Sequence, residues 1–123
     1  PMPYKVLVID DDPFIVEMYV LKFKDEHFTI DFAHTGEDGV KKAKSFDPDV
    51  ILLDVVMPGI DGFQTLERLR KEGLQQKIIM LTNLGQKEDI DRGMKLGAND
   101  YVVKAHFTPS EVVAKVRAVL GIA

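Results

Sequence analysis

The sequence predicts an α/β fold: a doubly wound five-stranded parallel sheet with five helices. Three observations predict it. Short apolar runs alternate with helical periodicity along the chain. The central run, Val50-Ile51-Leu52-Leu53, is apolar throughout, as a strand covered on both faces must be. Polar residues follow directly after the apolar runs, where an open parallel sheet gathers its functional groups.

The elements follow in order. Val6-Leu7-Val8-Ile9 reads as a buried strand. Pro13 suits the first turn of a helix, whose apolar residues are Phe14, Ile15, Met18, Tyr19 and Phe23. Thr29 to Ala33 is a second strand, and Asp31 within it suits an edge. Thr35-Gly36-Glu37-Asp38 is similar to a capping box with Asp in the Glu position, and opens a helix ending at Asp47-Pro48-Asp49. After the third strand and the Pro58-Gly59 turn comes a helix carrying Phe63, Leu66 and Leu69, with Gly73 as its C-cap. Ile78 to Leu81 is the fourth strand. The fourth helix, Glu88 to Leu96, is weak, because an internal Gly93 costs about 1 kcal/mol relative to alanine. Tyr101-Val102-Val103 is the fifth strand, and Thr108-Pro109-Ser110-Glu111 starts the last helix. Strands alternating with helices imply right-handed crossovers and a sheet covered on both sides.

Residues 1–123 are read as one domain with an ordinary globular composition: 46% hydrophobic and 29% charged. A net charge of −4 gives no general attraction to nucleic acid or to anionic membranes. There is no cysteine, hence no thiolate chemistry, in keeping with a reducing cytoplasm. No apolar run is long enough to span a bilayer. A stand-alone protein is the expected form, since no linker follows the last helix.

The polar residues at the strand ends carry the chemistry. The first strand ends in Asp10-Asp11-Asp12, the third in Asp54, the fourth in Thr82 and the fifth in Lys104. If the order is 2-1-3-4-5, the first and third strands flank the crevice, and Asp10, Asp11 and Asp54 would converge there. Such carboxylates repel one another unless a cation joins them. Lys104 and one divalent ion balance the three charges, and hard oxygen donors with open positions suit Mg²⁺. A lysine and a threonine hydroxyl beside them suit a phosphoryl group, and the nucleophile must be a carboxylate, since neither Cys nor His is placed there.

These residues resemble the response regulator receiver family. Val6 to Asp12 is similar to its opening, Asp54-Val55-Val56-Met57-Pro58-Gly59-Ile60-Asp61-Gly62 to its phosphoacceptor strand and loop, and Leu81-Thr82 and Tyr101-Val102-Val103-Lys104 to the rest. The resemblance implies a flavodoxin-like sheet and a signalling switch of a two-component phosphorelay. It implies that Asp54 accepts the phosphoryl group, with Thr82 and Lys104 completing the catalytic set. Asp11, Asp54 and the Val56 carbonyl would hold Mg²⁺, with Asp10 reaching it through water. Tyr101 would turn inward as Thr82 moves. The donor would be a phosphohistidine of a sensor histidine kinase or phosphotransfer protein. The output face would be the fourth helix, fifth strand and fifth helix, meeting a downstream protein or a second copy. Such a domain turns over no external substrate; it catalyses only its own phosphorylation and slow release.

The chain departs from the family in three places. Ala105 follows Lys104 where proline is usual, and the loop is one residue longer; the Lys104–Ala105 bond is expected to be trans. Asn83, where a small residue is typical, is expected to narrow access. Val56 and Leu84 cannot orient a water, so phosphate loss is expected to be slow. Two rival functions remain: a binding module that works without phosphate, and a small Mg²⁺-dependent hydrolase using Asp10 and Asp12. The hydrolase would need a cap for which the chain has no spare length. His27, His34 and His106, the methionines, and Arg68, Arg70 and Lys71 read as structural or solvated.

Overall fold

A computed structural model of the protein describes residues 3–123. Five strands, β1 (Lys5–Ile9), β2 (Thr29–Ala33), β3 (Val50–Leu53), β4 (Lys77–Thr82) and β5 (Asp100–Val103), pair in parallel in the order β2-β1-β3-β4-β5. They alternate with α1 (Pro13–Asp25), α2 (Gly36–Phe46), α3 (Gly62–Lys71), α4 (Lys87–Lys95) and α5 (Pro109–Leu120), and a 3₁₀ turn covers Lys104–His106. The expected fold class and strand order are those observed.

Alternation along each strand builds two cores, because successive side chains point to opposite faces. Leu7, Ile9, Ile51, Leu53, Ile78 and Met80 pack on one side with residues of α2 and α3. Val6, Val8, Val50, Leu52, Ile79 and Leu81 pack on the other with α1 and α5. The runs Val6–Ile9, Val50–Leu53 and Ile78–Leu81 within β1, β3 and β4 are therefore apolar without interruption, each residue serving one core or the other.

Local polar chemistry fixes the helix starts. Thr108 and Glu111 form a reciprocal capping box at α5. An equivalent box, Asp61 with Gln64, opens α3. At α2 the expected box is only half made: Thr35 accepts the Asp38 N–H at 3.1 Å, with no return bond from Asp38. An Asp side chain is one methylene shorter than the Glu this motif uses. Arg70 also departs from the solvated reading. Its guanidinium donates to the carbonyls of Leu74 (2.9 Å), Gln76 (2.9 Å) and Gly97 (3.1 Å), tying the end of α3 to the loops around β4. Met57 and Met80 are buried, whereas Met94 is exposed on α4.

Two glycines let backbones approach where the site is built. A Cβ on Gly62 would lie 2.1 Å from the Asp54 carbonyl oxygen, so only glycine lets α3 start against the end of β3. A Cβ on Gly93 would stand 3.0 Å from the Tyr101 ring. The glycine that weakens α4 is thus the recess that receives Tyr101.

Candidate functional site

β1 and β3 are neighbours, with Ile9 in register with Leu53, so the residues after them emerge side by side. The Asp10 N–H donates to the Ala33 carbonyl at 3.0 Å and the Asp54 N–H to the Ile9 carbonyl at 2.9 Å, so both aspartates are fastened to adjacent strands. Asp10 and Asp54 are buried, whereas Asp11 is exposed. One carboxylate oxygen from each of the three lies within 4.8 Å of the other two.

The run of three aspartates divides its labour. Asp10 Oδ1 accepts the Asp12 N–H at 2.9 Å. Asp12 is the N-cap of α1, accepting from the N–H groups of Phe14 (2.9 Å) and Ile15 (3.3 Å). Its Oδ1 serves the helix, and the three gathered acids are Asp10, Asp11 and Asp54. Asp54 Oδ1 accepts its neighbour's N–H, from Val55, at 2.7 Å, leaving Oδ2 toward the cleft cation.

That cation is Lys104. Its Nζ lies 2.6 Å from Asp10 Oδ2 and 3.3 Å from Asp54 Oδ2, with little of any of the three side chains exposed. Burial pushes the Asp10 carboxyl up from the ordinary aspartate range, and the hydrogen bond from Lys104 opposes it. For Lys104, burial pulls downward, but the bond to Asp10 and the charges of Asp54 and Asp10 outweigh it and hold the ammonium above its usual value. Lysine thus supplies part of the compensation that three gathered carboxylates need.

Thr82, at the end of β4, is buried, and its hydroxyl accepts the Leu84 N–H at 3.3 Å. It shares an open cleft with Asp54, Val56, Asn83, Leu84 and Lys104. Val56 presents an exposed side chain, 65% accessible, on this cleft. Tyr101, on β5, is half-buried, and its hydroxyl donates to the Leu84 carbonyl. Burial, with the nearby charges of Asp89 and Asp54, pushes its phenol up to about 12. All the residues expected at the site therefore surround one crevice or, for Tyr101, its flanking loop. His34, exposed, has its Nδ1 3.1 Å from the Asp10 carbonyl and is a neighbour of the cluster that its spacing did not announce.

The Lys104–Ala105 bond is trans, like every peptide bond among the described residues. The longer loop coils into the 3₁₀ turn that starts at Lys104. Asn83 lines the cleft, as expected of a larger side chain, but its Oδ1 also accepts the Ala105 N–H at 2.9 Å. That contact escaped sequence reasoning, since the two residues lie 22 positions apart.

The doubly wound sheet thus gathers three acids at its reversal point, with Thr82 and Lys104 beside them. A family model described as the response regulator receiver domain matches residues 6–117, and the chain belongs to that family. It is 39% identical over 119 residues to the alkaline phosphatase synthesis transcriptional regulatory protein PhoP of Bacillus subtilis, matching 97% of this chain and 49% of that protein. It is 38% identical to the transcriptional regulatory protein ResD of the same organism, over 94% of this chain and 48% of that protein. The chain spans about half the length of these curated relatives. Among solved structures, the CheX-CheY-BeF3-Mg+2 complex of Borrelia burgdorferi contains a chain of 30% identity and TM-score 0.90, covering 97% of this chain and 90% of that one. No helix of the described residues is long and apolar enough to cross a membrane.

Proposed function

We propose that this domain is the phosphoacceptor switch of a two-component phosphorelay, taking a phosphoryl group onto Asp54. The observation that carries this reading is the Asp54 carboxylate itself: buried, metal-competent in company with Asp10 and Asp11, and 3.3 Å from the Lys104 ammonium. A free Asp54 oxygen forms a bond to phosphorus as the phosphorus–nitrogen bond of a phosphohistidine breaks, and the electron pair leaves with the imidazole. Lys104 and the Thr82 hydroxyl are the groups placed to meet the phosphoryl oxygens.

The donor set fits Mg²⁺: hard carboxylate oxygens from Asp10, Asp11 and Asp54, close enough to share one small ion and open on the Asp11 side. Asp11, Asp54 and the Val56 carbonyl would hold it, with Asp10 in its outer sphere. When bound, the ion supplies charge neutralisation for the transferring group.

The reading extends to partners. A sensor histidine kinase or phosphotransfer protein supplies the phosphoryl group. A downstream protein, or a second copy in a phosphorylation-dependent dimer, reads the face of α4, β5 and α5. The mildly acidic domain binds neither nucleic acid nor membrane by itself, and works in the cytoplasm without turning over an external substrate.

The test is intact mass after incubation with acetyl phosphate, with and without Mg²⁺, for the wild type and Asp54→Ala. One phosphoryl group gained only with Mg²⁺, and absent from the variant, supports the reading. No gain in a folded protein, together with no response to beryllofluoride, would leave the phosphate-independent binding module as the better account.

A further inference from the structure

The β4–β5 ladder ends with Thr82 in register with Val103. The next residues separate: Asn83 enters the loop before α4, and Lys104 enters the 3₁₀ turn. Asn83 Oδ1 reaches across this gap to accept the Ala105 N–H at 2.9 Å, adding one side-chain rung beyond the last backbone pair. The turn has little holding of its own. Its closing bond, Phe107 N–H to the Lys104 carbonyl, is long at 3.3 Å, and Ala105 and His106 are exposed. On the other side, the Asn83 loop is held by Thr82 Oγ1 accepting from Leu84 and by the Tyr101 hydroxyl donating to the Leu84 carbonyl.

The Thr82 hydroxyl and the Lys104 ammonium come from different strands. They must nevertheless engage oxygens of one phosphoryl group at a fixed spacing, and misplacement of such groups is costly. We infer that Asn83 is a positioning residue: its bond to the Ala105 amide joins the Thr82 loop to the Lys104 turn, so that both groups meet a phosphoryl group on Asp54 as one unit. The inference rests on the phosphoacceptor reading. Any residue other than proline at position 105 offers the N–H, but only a side chain with an acceptor at the reach of asparagine can take it from position 83. Asn83 as a steric gate is the competing account, and it predicts the opposite sign: trimming the side chain would then ease entry.

The experiment compares the wild type, Asn83→Ala, Ala105→Pro and the double variant. Two quantities are read: amide hydrogen exchange at Ala105 where that amide exists, and affinity for beryllofluoride in the presence of Mg²⁺. In Asn83→Ala, Ala105 exchange should rise by about tenfold and beryllofluoride should bind about fivefold more weakly, the size of one net hydrogen bond. Ala105→Pro should weaken binding similarly, and the double variant should be no weaker than the worse single one, since both remove the same bond. Wild-type exchange and affinity in Asn83→Ala would overturn the inference, as would fully additive losses or tighter binding. Should Ala105→Pro fail to fold, the exchange and affinity of Asn83→Ala decide the matter alone. A wild type that binds no beryllofluoride would sink the phosphoacceptor reading itself, whereas a normal wild type with an unaffected Asn83→Ala sinks only the positioning role.

Discussion

Lys104 lies closer to Asp10 than hydrogen-bonded pairs of neutral groups usually lie, at 2.6 Å, and both side chains are largely shielded from water. Removing the ammonium leaves two buried carboxylates facing one another. Lys104→Ala should therefore lose roughly 3 kcal/mol of stability without metal, the lower end for breaking a buried pair. Mg²⁺ should recover much of that loss, because the ion takes over the neutralising role. Denaturant melts with and without Mg²⁺ check this; an equal deficit in both conditions would mean that the lysine and the ion do not share a site.

Val56 lines the cleft together with Asp54, Thr82 and Lys104. Its side chain is apolar and exposed on the cleft, so it can neither accept from nor donate to an attacking water. Val56→Asn should speed loss of the phosphoryl group several-fold, followed as decay of the phosphorylated mass after the donor is removed. An unchanged decay would show that water reaches the phosphorus by another route.

Gly93 should resist the usual improvement of a helical glycine. Alanine there would ordinarily add about 1 kcal/mol. Its Cβ, however, would lie 3.0 and 3.1 Å from two carbons of the Tyr101 ring and 3.3 Å from Met80. Gly93→Ala should instead destabilise by about 1 kcal/mol through overpacking, with displaced ring resonances of Tyr101. A plain gain in melting temperature would show that the recess is not needed.

Tyr101 should govern part of the alkaline limit of stability. Its phenol is held protonated to about 12, whereas the ordinary value is 10.0. The unfolded chain therefore releases its proton first, and the stability this group contributes is intact below pH 10, then lost as pH rises through about 12. Tyr101→Phe should flatten the decline of stability across that window, measured by denaturant unfolding from pH 9 upward. An identical decline in the variant would place its cause elsewhere, Tyr19 being the next phenol raised by burial.

Much of this was legible in the chain because strand ends are local signals. Val50 to Leu53 declares burial on both faces, and Asp54 follows it directly, so strand and buried carboxylate are read together. Asp12 shows where such reading stops. Its spacing from Asp10 fits a pair of acids as well as a helix cap, and only the path of α1 decides between them. The α3 capping box was present in the letters Asp61 and Gln64, overshadowed by the Asp61-Gly62 motif. Arg70 looked solvated because its three carbonyl partners lie in loops whose closeness depends on the packing of α3. The Asn83–Ala105 bond was out of reach for a related reason: it depends on the register of β4 against β5, a tertiary quantity.

The ion pair between Lys104 and Asp10 spans 94 positions of the chain. A nascent chain acquires Asp10 long before the counter-charge that it pairs with. Until Lys104 has been synthesised and β5 has docked, the carboxylates have no lysine to neutralise them, and the centre of the sheet carries an uncompensated electrostatic burden. The pair therefore works as a test of completeness: a polypeptide that stops short of the fifth strand keeps the acidic residues without the means to hold them together.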